Sequence, residues 1–346
     1  MNAMILPIFA WGMRGGAVNS ATRARQALRH IRVTIGYLTG KRDAILASDR
    51  PFRRQAIKLL AQVLFGRRRA HYHAWLPSLR IEGRAEGSSG TIVYRGRPVA
   101  ALAGFEILRQ RAGSRIVIVG SGPSVNDSPP GVLPLRTALL LNGAIGLIGQ
   151  GIGEPLAVAI EDERFVWRHF AMIAQHVRAD IPMLLSVGAI RALCDIDPAF
   201  LRERTVILID DIRKPYGAPR RTDAELAGFG HAVLRDCAGF SLRPDLAVFQ
   251  GGSVVVSALQ FALAAGASEI GFIGVDIANA DAPRFYESDG SAAFSGVAGA
   301  ERRILDHIAL ARDEAEKRGV RLRNHSAISA LRSIGLDYER LAPSAE

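Results

Sequence analysis

The stretch Arg115–Val125 (RIVIVGSGPSV) restricts the possible folds more than any other part of the chain. Ile116–Val119 is a short β-branched run, the pattern of a strand buried on both faces of a parallel sheet. It runs directly into Gly120, Ser121, Gly122, Pro123 and Ser124. A glycine turn at the carboxyl end of such a strand lets backbone N–H groups approach phosphate oxygens; a tight strand-to-helix turn also needs glycine for steric reasons alone. The next apolar run, Ala138–Leu141, ends in Asn142. A dinucleotide fingerprint would want a third glycine where Val125 stands and an acidic residue where Asn142 stands. A Walker loop would want a following Gly-Lys-Ser/Thr. Both readings fail on these residues.

Downstream, short apolar runs alternate with helical patterns. Pro155–Ile160 precedes a helix from Glu163, Pro182–Val187 precedes one near Ala189–Leu193, and Thr205–Ile209 follows. A helix over Gly252–Ala265 then leads to Glu269–Val275. This rhythm predicts a Rossmann-like α/β fold, a parallel sheet with helices on both faces. Ligands of such sheets sit beyond the carboxyl ends of the strands. The candidates are therefore Gly120–Ser124, Asn142, Glu161, Asp162, Asp210, Asp211 and Asp276. Asp210 and Asp211 either bind Mg²⁺ or pair with Arg213 and Lys214, and Glu161 and Asp162 face an acceptor or simply begin a helix. His325 follows the strand expected at Gly319–Leu322 and reads as a turn histidine or as a group facing the same cleft.

The charge is unevenly distributed. The 346 residues carry a net +11, yet residues 1–115 hold 21 Lys/Arg against 5 Asp/Glu, and the remainder is net acidic. A helix from Asn19 or Ser20 to Leu38, with Ala27, Leu28, Ile31 and Ile35 near one face, and a second from Pro51 to Phe65, with Ile57, Leu60, Val63 and Leu64, are both expected to be basic and amphipathic. Residues 19–69 thus either lie on an anionic membrane surface or pack their stripes on the body. Nucleic acid is not expected, because no reader motif accompanies the arginines. Leu79–Ala103 reads as a hairpin or small linker sheet. The resulting division is a basic helical region over 1–78, a hairpin or linker over 79–110 and a nucleotide-binding domain over 111–346. Cys194 and Cys237 are too few for a disulfide framework, no run is long enough to span a membrane, and Met1–Met13 lacks the marks of a secretory signal. A cytoplasmic chain, peripheral on the inner membrane, is expected.

Three stretches, IVGSGPSV (118–125), LLLN (139–142) and QGGSVVVSALQFALAAGASEIGFIGVDI with RFYES (250–277 and 284–288), together resemble the bacterial sialyltransferases of glycosyltransferase family 42 and the related hydroxymethylpterin diphosphokinase-like proteins. The similarity covers residues 115–335. It implies that Gly120, Ser121, Gly122, Pro123 and Ser124 cradle the phosphate and ribose of a cytidine nucleotide, with Asn142 on the nucleotide sugar. Gly251, Gly252 and Ser253 would line base and ribose, Asp276 would border the site, and Tyr286 would stabilise the departing phosphate. Ser121 stands where the sialyltransferases commonly have Asn. Where family members carry their base as a His at the start of the helix after the Tyr loop, this chain has Gly299–Arg303, so Glu301, His307 or a residue elsewhere would be the base. The implied reaction is metal-independent and uses no cofactor: a sialic-acid-like sugar moves from a CMP-sugar donor to a surface glycan or lipid-linked acceptor. The alternatives are an ATP- and Mg²⁺-dependent phosphotransferase using Asp210, Asp211 and Asp276, and a non-catalytic nucleotide-binding protein.

Overall fold

A computed structural model describes residues 50–84, 89–127, 130–277, 285 and 298–341. The helix expected at 19–38 and Tyr286 lie outside these residues. The described body is built on a ten-stranded sheet. Its members are β1 (Leu79–Glu82), β2 (Gly90–Tyr94), β3 (Arg97–Leu102), β4 (Arg115–Val119), β5 (Ala138–Leu141), β6 (Ala157–Ile160), β7 (Met183–Ser186), β8 (Val206–Ile209), β11 (Glu269–Ile273) and β12 (Arg321–Asn324). The order is β1-β2-β3-β8-β7-β6-β5-β4-β11-β12. From β3 to β12 every pairing is parallel, and only β1–β2 and β2–β3 are antiparallel. The Rossmann-like parallel sheet read from the sequence is therefore present.

Leu79–Ala103 does not form a sheet of its own. Leu102 pairs with Val206, so these strands extend the edge of the main sheet. A separate hairpin, β9 (Ala232–Arg235) with β10 (Ala238–Ser241), was not foreseen.

Helices cover both faces. On one face, α6 (Val254–Ala264) and α7 (Glu301–Glu316) join Ile116, Ile118, Leu139, Leu141, Ala157 and Ala159 in one core. The other face, through Val117, Val119, Leu140, Val158 and Ile160, meets α3 (Glu163–His176) and α4 (Val187–Ile196). Strand residues alternate between these cores with the period of two that a pleated strand imposes. Nearly every residue of α6 is buried, as expected of a helix apolar all round.

The second basic helix exists as α1 (Phe52–Arg69), broken at Gly66 where φ is 64°. It does not pack through its apolar stripe. Arg54 and Ala61 are the buried side, with Arg54 donating to the carbonyls of Leu76 and His73. Phe52, Leu59, Leu60, Val63 and Leu64 are exposed, Phe52 to 80% and Leu64 to 61%.

Candidate active site

The first strand of the parallel succession, β4, lies mid-sheet. The chain winds outward through β5, β6, β7 and β8 on one side and returns to β11 and β12 on the other. The switch point falls between β4 and β11, the crevice where open α/β sheets bind ligands. Gly120–Ser124 leaves β4 there, and Gly274–Asp276 leaves β11.

These segments pass so closely that both turns need glycine. A Cβ on Gly120 would lie 2.3 Å from the Gly274 carbonyl oxygen, and one on Gly122 would lie 2.4 Å from Asp276 Oδ2. Gly120 N–H donates to Ile273 O at 2.7 Å, and Gly122 N–H to Gly274 O at 2.9 Å. Asp276 accepts from Ser124 N–H at 2.8 Å and from Ser124 Oγ at 2.5 Å. Three backbone N–H groups of the turn are thus already bonded within the protein. Burial pushes the Asp276 carboxyl up, and its two bonds from Ser124 pull against that. Among the described residues, no α-helix lies between the turn and β5. The chain makes only short 3-10 turns at Pro123–Asn126 and Pro130–Val132, because the prolines stop propagation.

Asn142 ends β5 with φ at 46°, a left-handed conformation that costs other side chains more than it costs Asn. Its Oδ1 is buried with no hydrogen-bond partner among the described residues. Such an atom carries a penalty until a donor arrives.

Glu161 ends the neighbouring β6. By strand alternation it lies on the α6 face with Ala157 and Ala159, as Asp211 does beyond Ile207 and Ile209 of β8. Burial pushes the Glu161 carboxyl up to about 7; Ser257 on α6 and Lys214 pull it down, whereas Asp211 and Asp162 raise it. Beyond this contact with each other, neither Glu161 Oε1 nor Ser257 Oγ reaches a hydrogen-bond partner among the described residues. The Glu161 carbonyl accepts from Ser186 Oγ at 2.6 Å, which fixes the backbone beneath the carboxylate. Asp162 faces the other way, capping α3 through Arg164 N–H at 2.8 Å and pairing with the Arg164 guanidinium.

The Gly251–Ser253 turn opens α6. It is held from behind by buried Gln260, which accepts from Phe249 N–H and Ser241 N–H and donates to Phe249 O and Val256 O. α7 packs onto the turn from outside: Arg303 Nε donates to Gly251 O at 2.9 Å, and a Cβ on Gly252 would lie 2.4 Å from the Arg303 guanidinium. His307 lies against Gly251, buried, with Nδ1 donating to Arg303 O at 2.8 Å. Burial lowers its pKa, which keeps the ring neutral near neutral pH and leaves Nε2 as its basic nitrogen. The structure therefore brings His307 to the turn, while Glu301 is the first residue of α7. Arg303 was not singled out in the sequence; its only sign there was position, four residues before His307.

The remaining acidic candidates are engaged. Asp210 is buried and accepts from Arg84 at 2.8 Å and from Tyr216 N–H at 2.9 Å, so its ion pair is with Arg84 and not with Arg213 or Lys214. Asp211 accepts from Arg213 N–H at 2.9 Å and lies 3.7 Å from Lys214 Nζ. His325 is buried over Gly271 and bonds Glu339 O through Nδ1, so it packs on the sheet and does not face the crevice.

No protein-family model matches the chain, and no curated protein does. Among solved structures, the sialyltransferase CstII from Campylobacter jejuni in complex with the substrate analogue CMP-3FNeuAc is similar at 12% identity and a TM-score of 0.37, over 68% of this chain and 90% of that one. A variant of that enzyme with CMP gives 11% and 0.36, over 68% and 89%. Its complex with a trisaccharide acceptor and CMP gives 12% and 0.35, over 67% and 89%. At this distance the likeness assigns neither an activity nor any residue role. Among the described residues, no helix is long and apolar enough to cross a membrane.

Proposed function

We propose that this protein transfers a nonulosonic or ulosonic acid from a CMP-activated donor to a glycan or lipid-linked acceptor, with the donor in the crevice at the ends of β4, β5, β6 and β11. The observation that carries the reading is Asn142, whose strained backbone presents a buried, unpartnered oxygen at the strand end beside the switch point. A ribose hydroxyl or an exocyclic amine would satisfy it. The sequence resemblance supplies the cytidine nucleotide, and the Gly251–Ser253 turn with Arg303 supplies a cationic edge for its phosphate.

As the anomeric C–O bond breaks, its electron pair passes to the phosphate oxygen of the leaving CMP, and positive charge grows on the sugar. Donors fixed at the phosphate stabilise that change. A phosphotransferase would instead need Asp210 and Asp276, which are bonded to Arg84 and Ser124. Thermal unfolding with CMP, CTP and ATP, each with and without Mg²⁺, tests the reading. Stabilisation by CMP without metal, about 2.7 kcal/mol at a hundredfold excess over Kd, is the expected result. Stabilisation by ATP with Mg²⁺ alone overturns it.

We further propose that α1 rests on an anionic lipid surface. On the side away from Arg54 and Ala61 it exposes Phe52, Leu59, Leu60, Val63 and Leu64, and among its 18 residues there is no acidic side chain. Apolar side chains between arginines match an anionic bilayer in both charge and depth. The full chain should sediment with vesicles containing phosphatidylglycerol and remain free of phosphatidylcholine vesicles. Leu60→Asp with Leu64→Asp should reduce the bound fraction several-fold, and undiminished binding by that variant removes α1 from the contact.

A further inference from the structure

We infer that Glu161 is the general base that takes the proton of the acceptor hydroxyl. The inference rests on the transferase reading and deepens it.

The sequence resemblance points to α7 for the base, and His307 does reach the Gly251 turn. Its Nδ1 is tied to the helix backbone and the residue is 3% exposed. Glu161 differs in three ways. It stands at the end of β6, next to Asn142 on neighbouring β5 and two strands from the β4–β11 switch point. Its Oε1 is buried, and apart from the Ser257 hydroxyl beside it the carboxylate has no hydrogen-bond partner among the described residues. Ser257 lies one helical turn after Ser253, on the same side of α6 as the turn that edges the proposed phosphate site. A buried carboxylate at a strand end whose only polar side-chain neighbour is one hydroxyl keeps acceptor capacity for a polar group of a ligand.

The groups around this carboxylate set its basicity. Asp162 on its own segment and Asp211 after β8 disfavour its charge; Lys214 and Ser257 favour it. Burial outweighs the rest and leaves it titrating near neutrality, where a general base is most effective. In the step, the acceptor oxygen bonds to the anomeric carbon while its proton passes to the Glu161 carboxylate. The bond from that carbon to the donor phosphate breaks, and its electrons leave on CMP. The protonated carboxyl then returns its proton to solvent.

The test uses the full chain and CMP-N-acetylneuraminic acid as probe, with water as acceptor and release of CMP as readout. For the wild type, kcat should rise with pH through about 7, the region set by Glu161. Glu161→Gln should lose about 10²–10⁴-fold in kcat and lose that acid limb, while CMP still stabilises it against heat. Ser257→Ala removes the hydroxyl that favours the charged carboxylate, so the acid limb should move to higher pH. Glu161→Gln turnover at the wild-type rate, or an acid limb that survives in that variant or ignores Ser257→Ala, overturns the inference and leaves the transferase reading standing. If the wild type binds no CMP, or binds it and releases none from the probe, the transferase reading fails and the inference fails with it.

Discussion

Two halves of one crevice differ in how their polar groups are treated. At the β4–β11 switch and at Asp210, every polar group of interest has a partner within the chain: Asp276 holds Ser124, Asp210 holds Arg84 and Tyr216 N–H, and Gly120 and Gly122 bond the backbone of the facing segment. At the ends of β5 and β6, between those two places, Asn142 and Glu161 each keep a buried oxygen whose hydrogen bonds are incomplete among the described residues, with Ser257 the one side-chain neighbour of Glu161. The first half holds the strand ends together, and the second is where the proposed ligand would complete the hydrogen bonding. A carboxylate at a strand end is thus no functional marker in itself; whether its hydrogen bonds are complete decides the matter.

Substitutions can break that distinction, beginning with the most disruptive. Arg84→Ala would leave the Asp210 carboxylate buried with only the Tyr216 N–H, at a cost of about 3–5 kcal/mol in urea unfolding. A loss below about 1 kcal/mol would show that Asp210 does not depend on this pair. Gly120→Ala should cost about 3 kcal/mol, because its Cβ would strike a backbone oxygen that cannot rotate away. Gly113→Ala, with nothing within 4 Å of the added carbon, should be near neutral in the same assay.

Glu161→Gln should act in the opposite direction. The folded carboxyl titrates near 7 and the unfolded one near 4.5. Below the lower value both states are protonated and burial costs nothing. As pH rises between the two, the unfolded chain ionises first and the native state loses stability, and the full penalty is present above about 7. Glu161→Gln should therefore match the wild type at pH 4 and exceed it at pH 8 by roughly 3 kcal/mol. Parallel curves across that range would mean that the carboxylate is solvated after all.

Much of the scaffold was legible because its signals are local. Ile116–Val119, Ala138–Leu141 and Glu269–Ile273 read as buried parallel strands from their apolar runs, and the glycine turn and Asn142 fell at strand ends as expected. What the sequence hid depends on distant partners. The joining of β3 to β8 rests on the pairing of Leu102 with Val206, about a hundred residues apart. The β9–β10 hairpin, with half-buried Val233 and Leu234 and no Asn-Gly turn, carried little pattern. In the site, the glycines were read as a phosphate cradle, whereas their close approach to Gly274 and Asp276 is enough to require them. No local pattern reveals that Asp210 has an arginine from residue 84 and Glu161 has none.

The mildest substitution separates strain from recognition most sharply. Asn142→Gly relieves a left-handed backbone and removes a buried amide oxygen without a partner, and it gives back some entropy to the unfolded chain. The net expectation is a gain of about 1 kcal/mol in stability. If the amide is there to receive the nucleotide, the same change should weaken CMP binding about tenfold, the loss of one hydrogen bond to a buried acceptor. Greater stability together with weaker binding is the signature of a group held in place for a ligand. Greater stability with unchanged CMP affinity would place the nucleotide elsewhere and move Asn142 into the structural half of the crevice. Lower stability would mean that the Asn142 amide already contributes to folding, and the contrast between the two halves would shrink to Glu161 and Ser257.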